Sequence, residues 1–389
     1  MKCNKDLLKL EKEHSFEKLS GKINLYKKKH PKHKLISLGV GDVSKPIVKP
    51  VADAMKAAVD DLTDMESFKG YGAYTGYDFL KKAILENNYK DFDFSFDELY
   101  ISAGSKTDCT SILELFDINS KILINDIMYP VYEAGAAALS RKVELLKLFE
   151  EDKFVPRPPK EHYDIIYLCS PNNPTGVAYK KSDLEKWVAY AKENKAIILY
   201  DNVYSSFIRE ADVPKTIYEI EGASEVAIEF RSFSKEASFT GVRCSYYIIP
   251  KKIEKDINKL WQTRTINRFN GADYIAQKGA EASYLKEARE LINKNIDEYL
   301  SNAKQLKEIF EESSFTVYGG NNSPYLWIKT INGFSSWEIF DFFLKELEIV
   351  VVPGIIFGKA GDKFFRVSSL IKKEELNEIR QRMKNKFIK

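Results

Sequence analysis

Short apolar runs recur through the first two thirds of the chain, separated by stretches whose apolar residues return every three or four positions. Residues 35–38, 98–103, 121–125, 143–148, 165–169, 196–200, 226–230 and 246–249 have the length and the Ile, Val and Tyr content of strands. Residues 51–62, 77–87, 106–116 and 182–194 carry helical spacing between them. Strands that alternate with helices predict βαβ units, hence an α/β large domain whose mostly parallel central sheet is covered by helices on both faces.

Beyond about residue 252 the pattern changes. Residues 254–264 and 274–310 read as long charged helices, 315–318 and 325–329 as strands, 336–347 as a helix, and 349–352 and 364–367 as strands. This predicts a smaller α+β C-terminal domain. Residues 1–34 are polar and basic, with an amphipathic turn around Leu19 and a loop at His30-Pro31. The expected organisation is an N-terminal arm (1–34), a large domain (35–262) and a small domain (263–389).

Ligands of open α/β sheets bind outside the carboxyl ends of the strands. Five polar clusters follow expected strands: Gly104-Ser105-Lys106, residues 126–130, 170–176, 201–204 and 232–235. They are therefore expected to converge on one crevice. Composition narrows the partners of that crevice. Across 389 residues, 60 basic and 57 acidic side chains are interspersed for a formal charge of +3, so no single-signed field favours nucleic acid or a membrane. No apolar run reaches the ~18 residues of a membrane span. The four cysteines lack CxxC spacing and no secretory leader is visible, which predicts a reduced, cytoplasmic setting. His30 and His33 have no further Cys or His nearby to complete a metal site, and none is expected.

Ser232-Phe233-Ser234-Lys235, followed by Arg243, offers an amine beside hydroxyls and a guanidinium. That pairing suits pyridoxal 5′-phosphate (PLP), with Lys235 as the Schiff-base lysine, made reactive by burial or cationic neighbours, and Arg243 on the phosphate. Asp201 ends an apolar run and can hold a pyridine nitrogen protonated, with Tyr204 donating to the ring oxygen. The alternative for Asp201 is a helix N-cap. In 170–176 two prolines and a glycine shape a loop that can present Asn173 to the ring oxygen. Ser105 and Lys106 open a helix and can cradle phosphate, and Tyr129 can stack on a planar ring. Arg366 lies in an apolar strand, where either a substrate carboxylate or an internal salt bridge would explain it.

Taken together, these segments resemble the fold-type I, class I/II aminotransferases, and most closely the LL-diaminopimelate aminotransferase branch. The resemblance runs through Leu38-Gly39-Val40-Gly41-Asp42, Gly70-Tyr71-Gly72-Ala73, Gly104-Ser105-Lys106, Tyr129-Pro130-Val131-Tyr132, residues 170–176 and 232–243, Phe269-Asn270-Gly271-Ala272, Tyr318-Gly319-Gly320-Asn321, and Pro353-Gly354 to Arg366-Val367-Ser368. It implies that Lys235 moves the proton between substrate and cofactor and that Asp201 serves the pyridine nitrogen. It further implies that Asn173 and Tyr204 hold the ring oxygen, that Tyr129 stacks, and that Ser105, Lys106, Ser232, Ser234 and Arg243 hold phosphate. Arg366 and the backbone at Gly41 would take the α-carboxylate. Members are homodimers, so Tyr71 and Asn270 are expected to reach into the partner's site.

The chain also departs from that branch. Tyr74 stands where those enzymes carry a glutamate that contacts the distal amino group of the substrate, and a phenol lacks that charge. The arm lacks their Gly-Tyr, Ser368-Ser369-Leu370-Ile371 replaces a more polar ending, and Cys244-Ser245 stands where Leu-Gly is usual. The resemblance implies an aminotransferase for diaminopimelate and 2-oxoglutarate. The readings beside it are an aminotransferase for a less charged or aromatic amino acid, a PLP lyase or synthase, and, from another class, a non-catalytic PLP-binding regulator.

Overall fold

The computed structural model of the chain describes Cys3, Lys5 and residues 15–39, 41–253 and 256–387. Most of the arm before Ser15, Val40 within the Leu38–Asp42 motif, and Glu254 at the head of an expected helix lie outside the described residues. Strand β1 (Ile36–Ser37) is followed by β2 (Leu99–Ser102), β3 (Ile122–Asn125), β4 (Val143–Leu146), β5 (Ile165–Cys169), β6 (Ile197–Asp201), β7 (Ala227–Ser232) and β8 (Ser245–Ile248). Strands β2 to β8 form one seven-stranded sheet in the order β2-β8-β7-β6-β5-β3-β4. Its neighbours run parallel except β8, which is antiparallel to β2 and β7.

The middle strands β5, β6 and β7 are buried along their whole length, which is why they read as unbroken apolar runs. Their side chains alternate between two cores. Ile166, Leu168, Ile198 and Tyr200 pack with Leu184 and Trp187 of the helix Lys181–Asn194. Ile165, Tyr167, Ile197, Leu199, Ile228 and Phe230 face Val131, Tyr132 and Trp261 on the other side. This is the α/β class expected. The direction of strand addition reverses between β3 and β5, opening a crevice at their carboxyl ends.

After the helices Ile257–Arg268, Tyr274–Ala282 and Lys286–Glu312 come β9 (Val317–Gly319), β10 (Tyr325–Lys329), β11 (Ile349–Val350), β12 (Val352–Pro353) and β13 (Phe364–Ser368). Strands β12-β13-β10-β9 make an antiparallel sheet, and β11 pairs in parallel with β1. The first expected strand thus joins the C-terminal strands rather than the central sheet.

The arm differs from its reading as a polar segment with one amphipathic turn. Residues Phe16–Lys29 form a 14-residue helix capped by Ser15, whose Oγ accepts from Lys18 N at 3.2 Å. Leu19, Ile23 and Tyr26 fall on one face and pack with Ile36, Leu38 and the C-terminal strands. A stripe one residue wide per turn, among lysines, is easily read as no stripe. The expected helix 274–310 breaks at Ser283, where the hydroxyl donates to Ala280 O at 2.6 Å. The helices Val131–Ala138 and Glu375–Phe387 were not expected.

Candidate active site

A cavity of about 690 Å³ opens at the carboxyl ends of β3, β5, β6 and β7. Phe16, Leu19 and Ile23 of the N-terminal helix and Arg366 of β13 complete its wall. Asp201 ends β6 at its floor. Its Oδ2 accepts a short hydrogen bond from the Tyr132 hydroxyl, while Oδ1 is buried with no partner in good hydrogen-bond geometry among the described residues. Burial pushes its carboxyl up to about 6, against the pull of the Tyr132 hydrogen bond. An orphaned buried carboxylate oxygen is costly unless a donor is brought to it.

Lys235 sits in the short helix Phe233–Glu236 that directly follows β7. Ser232 ends the strand and caps this turn, its Oγ accepting from Ser234 N at 3.1 Å. The ammonium donates to Gly41 O. Burial lowers its pKa to about 8; Asp42 opposes the shift, and Arg366 and Arg243 add to it. A usable fraction of free amine therefore exists near neutral pH, which a nucleophilic or proton-carrying lysine requires.

Arg366 is buried and, among the described residues, pairs with no carboxylate. Its Nη1 donates to Asn173 Oδ1 at 2.7 Å and its Nη2 to Gly39 O at 3.0 Å, while Nε has no partner. The guanidinium lies 4.4 Å from the Tyr325 ring centre and 4.9 Å from that of Phe357. The internal salt bridge weighed from sequence is thus not made, and an uncompensated cation faces the cavity. Tyr325 also meets the Tyr204 hydroxyl at 2.9 Å. The peptide bonds 170–171 and 173–174 in the loop that carries Asn173 are both cis. At Gly176 the backbone has φ +67°, and a Cβ would stand 1.9 Å from Tyr325 O, so only glycine lets this loop lie against β10.

Ser105, Lys106, Ser234 and Arg243 also line the cavity. Arg243 donates to Ser234 Oγ at 3.1 Å and to Thr240 O at 3.2 Å. Gly104 is adapted to this arrangement: its φ is +142°, and a Cβ would meet Arg243 Nη2 at 2.1 Å. The helix Ser105–Ser111 has only seven residues, so this cluster acts through its side chains more than through a helix dipole.

The profile of the family described as aminotransferase class I and II matches residues 33–383. This chain belongs to that family. It is a transaminase, built to exchange amino groups between amino acids and 2-oxo acids. It is 40% identical to an LL-diaminopimelate aminotransferase of Bacteroides fragilis over 99% of both chains, and 41% identical to one from Bacteroides thetaiotaomicron over 98% of both. The solved L,L-diaminopimelate aminotransferase of Chlamydomonas reinhardtii superposes with a TM-score of 0.94 at 36% identity, covering 100% of this chain and 99% of that one.

Of the residues singled out from sequence, this aminotransferase brings Gly41, Ser105, Lys106, Tyr129, Asn173, Asp201, Tyr204, Ser232, Ser234, Lys235, Arg243 and Arg366 to one cavity. Tyr71, Tyr74 and Asn270 do not line it. All three are exposed, Tyr71 at 90% of its surface. Among the lining residues given no role from sequence are Tyr132 and Tyr325. Tyr132 lies three residues past Tyr129, at the start of the helix Val131–Ala138. Tyr325 opens an ordinary strand, where nothing local marks it.

No helix among the described residues is long and apolar enough to cross a membrane. Also among them, no group of three or more His, Cys, Asp or Glu could hold a metal. His33 instead meets Glu348 at 2.9 Å and the Tyr26 hydroxyl at 3.1 Å.

Proposed function

We propose that this transaminase uses pyridoxal 5′-phosphate to move the α-amino group of LL-diaminopimelate to 2-oxoglutarate, as a cytoplasmic homodimer. The observation that carries the cofactor assignment is Asp201 Oδ1. A buried acceptor with no donor of its own, at the floor of a cavity with an anion-binding wall, fits a ring N–H with a phosphate on the far side. Bound there, PLP supplies a carbonyl that condenses with amines and a ring that accepts the electrons released at the substrate's α-carbon.

The chain's own residues do the rest. Ser105, Lys106, Ser234 and Arg243 bind the phosphate, and Ser232 holds the turn that presents Ser234. Tyr129 packs on the ring face, and Asn173 and Tyr204 orient the ring oxygen. Asp201 keeps the pyridine nitrogen protonated, with Tyr132 holding the carboxylate in its ionised form. Arg366 exchanges its neutral acceptors for the substrate α-carboxylate, assisted by the backbone at Gly41, and gains a charge-assisted pair. Lys235, part of which is free amine near neutral pH, would serve as the base that takes the proton from the substrate's α-carbon and carries it across.

The relatives' printed names support diaminopimelate as amino donor. Tyr74 favours a second reading, in which the donor's distal end is less charged or aromatic. Met65, Phe68 and Tyr71 are exposed at 93%, 59% and 90%, a density of bare apolar surface that supports burial against a second subunit. Such a subunit would bring Tyr71, Tyr74 and Asn270 to its neighbour's cavity. Unpaired buried Cys109, Cys169 and Cys244 suit a reducing compartment.

The test is a single-turnover experiment in which cofactor-loaded protein meets a panel of amino acids without a 2-oxo acid. Loss of the visible cofactor band with LL-diaminopimelate supports the first reading. Loss with aromatic amino acids alone moves the assignment to the second, and ammonia release without an acceptor would indicate a lyase.

A further inference from the structure

Behind the phosphate-binding wall lies a carboxyl group that the mechanism above does not use. Asp108 is on the same helix as Ser105 and Lys106 but points away from the cavity into the protein, where its residue is 6% exposed. Its Oδ2 lies 2.5 Å from Ser102 Oγ and 3.2 Å from Ser245 Oγ, and the two serine oxygens are 2.6 Å apart. Ser102 and Ser245 are paired across β2 and β8, so the backbone register holds this triangle of oxygens in place.

The protons of the triangle can be counted. Two serine hydroxyls own two protons for three oxygen–oxygen contacts. If Asp108 is ionised, either both protons go to the carboxylate and the 2.6 Å serine contact is bare, or one fills that contact and the carboxylate keeps a single neutral donor. A buried carboxylate oxygen with one hydroxyl donor and no paired cation is costly. A proton on Asp108 gives each edge one hydrogen bond: Asp108 donates to Ser102, Ser102 to Ser245, and Ser245 back to Asp108.

The surrounding charges do not rescue the ionised form. Arg243, from the turn after Lys235, and Arg264, from the helix Ile257–Arg268, are the cations whose fields reach Asp108. Neither pairs with it: Arg264 is engaged by Glu114, and Arg243 by Ser234 and Thr240. Cys109 on its own helix, Cys244 just before β8 and Tyr247 on β8 also lie near it, and burial holds all three in their neutral forms. Burial likewise pushes the Asp108 carboxyl up to about 7, with the two serine hydrogen bonds acting in the opposite direction.

We propose that Asp108 is a positioning residue for the anion site, held as a neutral carboxylic acid so that the charge of Arg243 and Lys106 is left for the cofactor's phosphate, and that its ionisation loosens that anion. This rests on the phosphate-binding reading of Ser105, Lys106, Ser234 and Arg243. Ser245 gives the arrangement a feature of this chain's own, since it belongs to the Cys244-Ser245 pair that departs from the family pattern.

The experiment uses full-length protein dialysed free of cofactor and inorganic sulfate, whose charge does not change across neutral pH. Sulfate affinity is measured by calorimetry as pH rises through about 7, for wild type and Asp108→Asn. The wild type is expected to lose about tenfold more affinity than the variant, the scale of one unit charge acting on a partly buried anion. The titration of Lys235 weakens binding in both and cancels in the comparison. Infrared difference spectra are expected to show a protonated carboxyl at slightly acidic pH that disappears in Asp108→Asn. Equal pH dependence in the two proteins, or no carboxyl difference, overturns the proposal while leaving the anion site standing. If wild type binds no sulfate at any pH, the anion site itself is misread and the proposal falls with it. Should Asp108→Asn fail to fold, Ser245→Ala serves instead: it removes a donor to the ionised form, so the fall in affinity must move to higher pH, and an unmoved fall is a refutation.

Discussion

Replacing Tyr132 by Phe removes one hydroxyl and isolates its effect on Asp201. The ring's packing against Tyr167, with centroids 4.7 Å apart, does not depend on that oxygen, so the fold is expected to stand. What is lost is the donor to Oδ2 of a carboxylate whose other oxygen has no side-chain partner among the described residues. A hydrogen bond to a charged group contributes about 1.5–3 kcal/mol, which corresponds to about 1–2 pKa units. The direction follows from which form the bond favours. Tyr132 donates to the ionised carboxylate, so its loss raises the Asp201 pKa above its value of about 6. At pH 7 the wild-type carboxyl is then mostly ionised, whereas in the variant half or more is protonated and lacks the negative charge that would hold a ring N–H protonated. The assay is the rate of the amino-acid half-reaction against pH, followed through the visible cofactor band. Its acid limb is expected to move upward by about 1–2 pH units in Tyr132→Phe relative to wild type. A variant that is slower but has its acid limb in the wild-type position would refute the argument that Tyr132 acts through the charge of Asp201.

Arg366→Ala is expected to lower kcat/KM for every α-amino acid by about 10²–10³, and Arg366→Lys to recover only part, because the two-pronged fork is lost; steady-state kinetics check both. Tyr74→Glu should raise kcat/KM for LL-diaminopimelate while lowering it for aromatic amino acids, measured in the same half-reaction. Lys235 has its pKa lowered to about 8, so the rate at which cofactor-free protein captures an aldehyde should climb with pH and level off above about 8; stopped-flow absorbance reads this, and a flat profile contradicts it. For Asp108 the folded pKa of about 7 lies above the ordinary ~3.9 of an unfolded aspartate. Its contribution to stability is therefore complete below about pH 4 and is lost as pH rises toward 7. Asp108→Asn should accordingly match wild type in acid and exceed it at pH 8 in urea unfolding.

The central sheet was legible because β5, β6 and β7 are buried on both faces and so carry unbroken apolar runs, each followed by a polar cluster. Strand ends are where a chain must leave the core, and the chemistry follows directly there, as at Asp201 and Ser232–Lys235. The features that were not legible depend on partners distant in sequence. Tyr132 gains its meaning from an aspartate on a strand 69 residues later, and Tyr325 from Tyr204, 121 residues earlier. The ring formed by Asp108, Ser102 and Ser245 needs the register of β2 on β8, which no local pattern encodes. The N-terminal helix was missed for a different reason, since its stripe of buried Leu19 and Tyr26 and partly buried Ile23 is narrow and surrounded by lysine. Tyr71, Tyr74 and Asn270 stay outside the cavity of a single chain, so nothing within one chain connects them to the site.

The most direct test of the account is a stoichiometric half-reaction. Cofactor-loaded protein mixed with LL-diaminopimelate in the absence of a 2-oxo acid should lose its visible band while releasing one 2-oxo acid per active site. Adding 2-oxoglutarate should restore the band and yield one glutamate, and Lys235→Ala should do neither. A band that never changes with any amino acid, or one that returns without an acceptor while ammonia accumulates, would contradict the assignment.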